Sequence, residues 1–412
     1  MSPKADKNLL VGLDIGTSKV VAIVAEMGSD GQIAIIGVGH HPSQGLKRGV
    51  VVNIEATIHS IQQAVSKAEK AAGCRIHSVY TGIAGNHIQS QNSHGIVAIR
   101  DKEVTQADID RVIDAAKAVP MSTEQKLIHV LPQHFSVDNQ PGIKDPIGMS
   151  GVRLEADVHI VTGAVSAAQN IVKCIRAANI EVDDIILEQL ASSYAVLTDD
   201  EKELGVCLVD IGGGTTDIAV FYHGAIQHTA VIPIAGDQVT NDIAVAFHLP
   251  TVQAEAIKIQ YGYALAHLAE NAPKMDITSN AHRSVKEISA FNLAKVIEPR
   301  YDELFSLVQA NLKQFQFPHP LSAGIVLTGG STSIPGVVEL AEKIFQVPVR
   351  LGVPTQVVDP LGTVNNPVYS TGVGLLLYGK QRQSEALSSV LGRGIPGMWN
   401  RMKGWFHGRL SL

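Results

Sequence analysis

The sequence predicts an α/β fold of two related lobes, and three observations carry that expectation. The chain has 412 residues, more than a single hydrophobic core ordinarily organises. Two stretches share one design, VGLDIGTSKVVAIV at residues 11–24 and CLVDIGGGTTDIAVF at residues 207–221. Each is an apolar strand ending in Asp, a Gly-Thr turn and a second β-branched strand, the pattern of a β-hairpin. A third stretch, AGIVLTGGSTSIPGVVEL at residues 323–340, reads as a strand, a Ser/Thr turn and a helix that begins near Pro335. A hairpin repeated far along the chain describes a duplicated architecture, two lobes facing one another.

In the first hairpin Asp14 closes the strand and Gly16, Thr17, Ser18 and Lys19 form the turn. In the second, Asp210 closes the strand and Gly212, Gly213, Gly214, Thr215 and Thr216 follow. Glycines let backbone N–H groups approach phosphate oxygens with no Cβ in the way, the hydroxyls add donors, and Lys19 adds positive charge. A carboxylate repels phosphate, so Asp14 and Asp210 make sense with a cation between them. Mg²⁺ suits the pair because it keeps several waters and takes one or two carboxylates, giving a nucleoside triphosphate as the expected ligand. Either loop alone is equally well an ordinary tight turn; together they argue for a shared ligand. In the third stretch Gly329 and Gly330, followed by Ser331, present a flat surface to an adenine or ribose, unless the segment is a plain strand-to-helix connection.

Composition narrows the function classes. An apolar fraction of 45% and a charged fraction of 17% belong to a folded globular protein. A net charge of −6 argues against nucleic acid as a partner. The balance is uneven, because residues 380–412 hold six basic residues and one acidic residue. Cys74, Cys174 and Cys207 form no CxxC pair, which suits a reducing compartment and disfavours zinc. The 16 histidines include no HExxH spacing. MSPKADKNLL lacks an apolar core, so no secretory leader is expected. No run reaches about 18 uninterrupted apolar residues, so any membrane contact is expected to lie on the bilayer surface.

Taken in order, these segments resemble the actin/Hsp70/sugar-kinase superfamily. DIGTSK is similar to its first phosphate loop, DIGGGTTD to its second and LTGGSTSIPG to its adenosine motif. IEVDDIILEQLASSYAVL (180–197) and YSTGVGLLLYG (369–379) are similar to the two connecting helices that meet at its hinge. Within the superfamily the chain resembles the FtsA family of bacterial cell-division proteins, through GDQVTNDIAVAF, AEAIKIQYG, VIEPRY, LTGGSTSIPG and YSTGVGLLLYG. The resemblance spans essentially everything up to Lys380 and resumes in the final helix. It implies an actin-like two-lobed ATPase fold with an FtsA-type inserted subdomain and a C-terminal amphipathic helix. It further implies ATP and Mg²⁺ as cofactors and polymerisation of the chain with itself. The implied location is the cytoplasmic face of the inner membrane at the division site, where filaments of the tubulin-like FtsZ are tethered to build the septal ring.

The same resemblance divides the chain. Lobe 1 is expected from residues 1–82 with 163–199 and 368–379, and lobe 2 from 200–236 with 300–367. The inserted subdomain covers 83–162, where VTQADIDRVIDAAKAV reads as an amphipathic helix and RLEADVHIVTG as a strand. By resemblance it contacts neighbouring subunits and other division proteins. Residues 237–299, mainly helical in pattern around a polar loop, would cap the cleft and receive the C-terminal tail peptide of FtsZ. Arg283, Lys286 and Arg300 are the basic residues there that would meet an acidic peptide, or else a solvated basic face. Glu255 and Lys258 share one helical face; the superfamily uses such a pair on ribose hydroxyls, the alternative being a surface salt bridge.

Glu188 takes the connecting-helix position from which relatives orient the attacking water. No base for a substrate hydroxyl is visible, so a metabolite kinase is disfavoured; an FtsA-like pilus-assembly ATPase is the other alternative, against which the basic aromatic tail and VIEPRY argue. ATP use is expected to be conformational, with at most slow hydrolysis.

Residues 380–396 read as a polar, flexible spacer and 397–412 as a membrane-targeting helix. On a helical wheel Met398, Trp399, Met402, Trp405, Phe406 and Leu410 share one apolar arc, with Arg401 and Lys403 at its edges, suited to anionic lipid headgroups. Docking on the protein itself or on a partner is the other reading. Gly397, Gly404 and Gly408 disfavour the helix in water, so folding on contact with lipid is expected. One such helix binds weakly, so a polymer carrying many copies would strengthen attachment.

Overall fold

Strand pairing starts from the first hairpin. β1 (Leu9–Ile15) and β2 (Lys19–Met27) run antiparallel, and β3 (Ile33–Pro42) continues the sheet beyond β2. On the other side of β1, β6 (Ser78–Ile83) and β11 (Glu181–Leu187) add in parallel, giving the order β11-β6-β1-β2-β3. In the computed structural model the described residues are 8–272, 274–278, 285–315, 320–360 and 362–390. β1 and β2 are continuous apolar runs rather than alternating ones because helices cover both faces of the sheet. One face packs on α1 (Ile54–Ala72) and α3 (Val165–Ala177), the other on α4 (Glu188–Val196) and α10 (Ser370–Val390). α1 is bounded by an Asn53 cap at its start and by Gly73 at φ 67° at its end, a left-handed stop that suits glycine. The two-residue strands β4 (Leu46–Lys47) and β5 (Val50–Val51) pair in the loop before it.

Lobe 2 repeats this plan. β12 (Val206–Ile211) and β13 (Thr216–Tyr222) form the second hairpin and β14 (Ala225–Ile232) extends it. β17 (Ile325–Thr328) and β18 (Val349–Leu351) join in parallel, for the order β14-β13-β12-β17-β18. Read from the hairpin edge, the two sheets have the same topology, as the repeated motif predicts. The short α5 (Asp199–Leu204) leads into this lobe, and α9 (Val337–Phe345) packs behind it.

α4 and α10 cross where small residues permit it. A Cβ on Gly374 would lie 1.9 Å from the Ala191 carbonyl oxygen, and one on Gly12 would lie 2.6 Å from that of Gly372. The glycines of YSTGVGLLLYG therefore bring two helices and a strand into backbone contact at the junction of the lobes.

The inserted subdomain is a four-stranded antiparallel sheet with α2 (Gln106–Ala116) on one face. Its strands are β7 (Gln89–Ala98), β8 (Gln125–Val137), β9 (Gln140–Ile143) and β10 (Arg153–Ala164), in the order β7-β10-β8-β9. Thr105 and Asp108 form a capping box at the start of α2, and Ile109, Val112 and Ile113 are buried, matching the helical face read from the sequence.

Three features depart from the expectations. The cleft-capping region has α6 (Gly236–Phe247) and α7 (Thr251–Tyr261), but it also contains a hairpin of β15 (Lys274–Thr278) and β16 (Val285–Ser289). Met275 and Ile277 alternate with polar neighbours there, a period-two signal masked by the polar surroundings. The boundary expected between 299 and 300 falls inside one continuous helix, α8 (Ala290–Phe315), which carries Pro299 in its interior. Finally, α10 runs to Val390, so the spacer expected from residue 380 is helical over its first part. The Gly and Pro breakers lie later, at Gly392, Gly394 and Pro396, while Arg382 holds the helix to Asp184 at 3.2 Å. The remainder of that spacer and the amphipathic segment 397–412 lie outside the described residues.

Candidate functional site

Both hairpin loops end at one cleft between the lobes, with a volume of about 860 Å³. Residues 14–19 line it from lobe 1, and Asp210 and residues 212–215 from lobe 2. The loops touch: a Cβ on Gly213 would lie 2.9 Å from the Ser18 Cβ, and one on Gly214 would lie 2.6 Å from the Thr17 Oγ1. Glycine at these positions is what lets the two turns close on each other. Thr216 is the exception among the predicted residues. It is fully buried and donates its hydroxyl to the Ile234 carbonyl at 2.8 Å, so it braces the loop from beneath.

The cleft gathers carboxylates around one lysine. Asp14 and Asp210 are 7% and 8% exposed. Burial pushes Asp14 up to about 6, with nearby Lys19 acting against the rise and Asp210 adding to it. Burial also raises Asp210, which the hydrogen bond donated by Ser192 Oγ at 2.6 Å counteracts together with Lys19. Burial draws Lys19 down to about 8, although Asp14 and Asp210 favour its charge. Its Nζ donates to the Val368 carbonyl at 2.5 Å and stands 5.2 Å from the Tyr369 ring centre.

Glu188 faces the same cleft from the first turn of α4, half-buried. A Cβ on Gly82 would lie 2.6 Å from its Cγ, so Gly82 makes the space for this side chain. Burial raises its carboxyl well above the usual range, and Asp14, Asp217 and Asp210 add to the rise. Asp217 was not singled out by the sequence reading. Burial lifts it to about 8, and its Oδ2 accepts from Thr215 Oγ1 at 3.0 Å while Oδ1 has no partner among the described residues. Its signal was available in DIGGGTTD, as a second acidic residue just ahead of the apolar run IAVF.

These carboxylates destabilise one another until a cation shields them. The donor set is hard oxygen and fits Mg²⁺. Among the described residues no three His, Cys, Asp or Glu side chains are grouped to hold a metal directly. Asp14 and Asp210 would therefore hold the ion largely through its waters.

The third motif closes the cleft. Gly329 sits at φ 90°, where a Cβ would lie 2.4 Å from the Asp210 Oδ1 and 2.5 Å from the Ile211 carbonyl oxygen. A Cβ on neighbouring Gly330 would approach Val368 to 3.0 Å. Ser331 donates its hydroxyl to the Gly212 carbonyl at 2.7 Å, tying this motif to the second loop.

Glu255 and Lys258 also line the cleft, but they are not a surface salt bridge. Lys258 is 6% exposed, and its Nζ meets Glu255 Oε2 at 2.6 Å, Thr240 Oγ1 at 2.8 Å and the Gly236 carbonyl at 3.0 Å. With its three donors engaged, Lys258 has none for a ribose, and only Glu255 keeps an open side.

Of the three basic residues read in the cap, Arg300 is the one whose side chain is described. Arg300 grips Asp242 with two bonds of 2.6 and 3.0 Å and also pairs with Glu303, so its guanidinium is engaged within the chain. Lys286 lies on β16, and Arg283 falls outside the described residues. So do Met398, Trp399, Arg401, Met402, Lys403, Trp405, Phe406 and Leu410.

The family model "Cell division protein FtsA" matches residues 207–374, and the model "SHS2 domain inserted in FTSA" matches residues 85–162, nearly the segment read as an insertion. The chain is 60% identical to the cell division protein FtsA of Pseudomonas aeruginosa, over 97% of this chain and 98% of the relative. It is 45% identical to that of Escherichia coli K12, over 98% and 99%. Among solved structures it is similar to a PilM-PilN type IV pilus biogenesis complex, with TM-score 0.67 and 18% identity over 90% of this chain and 98% of the other. It is also similar to MreB 5 of Spiroplasma citri bound to AMPPNP, with TM-score 0.57 and 15% identity over 93% and 100%. These two likenesses show the actin-like fold alone.

Proposed function

Because the chain belongs to the FtsA family of cell-division proteins, we propose that it binds Mg-ATP between its lobes and polymerises on the cytoplasmic face of the membrane. There it anchors FtsZ filaments. The observation that carries the nucleotide reading is the convergence of the Asp14 and Asp210 loops in one cleft that gathers several buried carboxylates around Lys19. Asp14 and Asp210 would hold Mg²⁺, whose charge would offset both these carboxylates and the phosphates. The backbone N–H groups of residues 17–18 and 213–215 and the ammonium of Lys19 would surround the phosphate oxygens, while those of Gly16 and Gly212 close their own turns on Lys19 and Thr215. Gly329 and Gly330 would face the nucleoside, with Glu255 towards the ribose.

Nucleotide then acts as a clamp. Its phosphates touch loops from both lobes, so binding favours the closed arrangement, and the closed arrangement is the one that assembles. Glu188 orients water near the terminal phosphate, which supports slow turnover rather than efficient ATPase chemistry. Residues 397–412 lay an aromatic and cationic face on anionic lipid, and the polymer multiplies that weak contact. The cap offers Lys286 and Arg283 to an acidic FtsZ tail, whereas Arg300 would first have to leave Asp242.

Co-sedimentation with anionic liposomes tests this reading. Full-length protein with Mg-ATP pellets with the vesicles, and protein lacking residues 396–412 stays in the supernatant. Full-length protein that stays in the supernatant with ATP present contradicts the scaffold reading.

A further inference from the structure

We propose that His129 of the inserted subdomain is a positioning residue for Glu188, through which that subdomain governs phosphate chemistry in the cleft. This rests on the reading of Glu188 as the residue that orients water. His129 lies on β8 and is 1% exposed. Its Nε2 accepts the backbone N–H of Leu187 at 3.0 Å. Leu187 ends β11, and the next residue is Glu188, the first of α4. The N-cap residue of α4, Leu187, makes no side-chain capping bond, and the end of the strand and His129 help to locate the first turn. The Leu187 side chain is fully buried in an apolar cluster that also holds Val161 of the inserted sheet and Leu190 of α4.

Accepting an N–H requires a lone pair on Nε2, hence a neutral ring. Burial keeps it neutral, drawing the imidazole down to about 4, with Asp184 acting against this and Arg382 reinforcing it.

The same sheet grips lobe 2. Ser90 Oγ donates to the Thr229 carbonyl at 2.8 Å, Asn92 Nδ2 to the Gln227 carbonyl at 3.1 Å, and Gln133 Nε2 to the Ile226 carbonyl at 2.9 Å. His159 Nε2 meets Thr229 Oγ1 at 3.0 Å. All of these partners are on β14, the edge strand of the lobe 2 sheet. The inserted subdomain therefore holds lobe 2 with one set of side chains and the Leu187 N–H, one residue before Glu188, with another. A partner that tilts the subdomain moves Glu188 relative to the second phosphate loop. Misplacement of a catalytic group by about 1 Å costs on the order of 100-fold in rate.

The test uses full-length protein, single-turnover hydrolysis of Mg-ATP, calorimetric affinity for Mg-ATP, and amide exchange of the segment 185–190. His129→Leu is expected to hydrolyse about tenfold more slowly with affinity within about twofold of wild type, and to exchange the Leu187 amide at least about tenfold faster. His129→Gln, whose side-chain oxygen accepts the same N–H, should stay within about threefold of the wild-type rate. Val130→Ala, a buried neighbour in the α2-facing cluster, controls for general loosening and should leave the rate unchanged. Should His129→Leu not fold, His129→Asn, too short to reach the N–H, takes its place with the same expectation. A wild-type rate and exchange in the His129 variant alongside a slowed Glu188→Gln overturns the proposal. So does a Val130→Ala as slow as the His129 variant. A wild-type rate in Glu188→Gln instead overturns the Glu188 reading on which the proposal rests.

Discussion

Replacing Gly329 with alanine perturbs the cleft at its tightest point. The residue occupies φ 90° and ψ 158°, a region that is nearly glycine-only, so an alanine there costs about 1–3 kcal/mol in backbone strain. The new methyl would also lie 2.4 Å from the Asp210 Oδ1 and 2.5 Å from the Ile211 carbonyl oxygen. Relief requires the Asp210 carboxylate to retreat by about 1 Å to reach ordinary contact. That motion breaks the 2.6 Å bond from Ser192, which fixes the carboxylate in its present orientation. A loss of about 2 kcal/mol of binding is then expected, a decrease of roughly 30-fold in Mg-ATP affinity. Strain in the empty protein should lower its melting temperature by about 1–2 °C per kcal/mol. Calorimetric titration and thermal unfolding without nucleotide measure the two effects separately. Mg-ATP affinity within about twofold of wild type in a protein of unchanged melting temperature would refute the reasoning.

The remaining predictions concern pH, packing and the tail. Mg²⁺ takes the carboxylate form, and Asp14 titrates at about 6, so Mg-ATP affinity should fall as pH drops below 6, by up to about tenfold per unit for one displaced proton. Lys19 loses its charge above about 8, so affinity should fall there as well; titrations corrected for the protonation of ATP itself that stay flat from pH 5 to 9 would contradict both assignments. Gly374→Val places atoms where the first would already lie 1.9 Å from the Ala191 carbonyl, so destabilisation of about 1–3 kcal/mol or more is expected, and a wild-type melting temperature would show that α4 and α10 do not cross there. Trp405→Glu should release the protein from anionic liposomes without altering its thermal unfolding, and retained binding would mean that the aromatic face is not the anchor.

Much of the architecture was legible because its signals are local. The Asp-Gly loops announce themselves as apolar strands cut by glycine, and both hairpins form with the expected residues at the turns. The inserted subdomain showed through its own amphipathic helix and strand. What stayed hidden depends on distant partners. Gly82 makes room for Glu188, and His129 reaches the Leu187 N–H across more than fifty residues of sequence. Neither is marked by any local pattern. The spacing of Glu255 and Lys258 left a ribose contact and a surface salt bridge equally open, because it reveals a shared helical face but not the depth at which the helix sits. Thr216 looked like a phosphate donor, yet strand alternation points its hydroxyl to the Ile234 carbonyl. The extent of α10 escaped notice because polar residues resemble a spacer until Arg382 is seen to anchor them on Asp184.

The central claim is that the two hairpin loops share one metal-bound triphosphate. Crystals grown with Mn²⁺ and ATP would locate the ion by its anomalous signal. The account predicts one peak between Asp14 and Asp210, at about 4 Å from their carboxylates if water intervenes, with the phosphates enclosed by residues 16–18 and 212–215. A peak elsewhere, or a nucleotide bound against only one of the two loops, would contradict it.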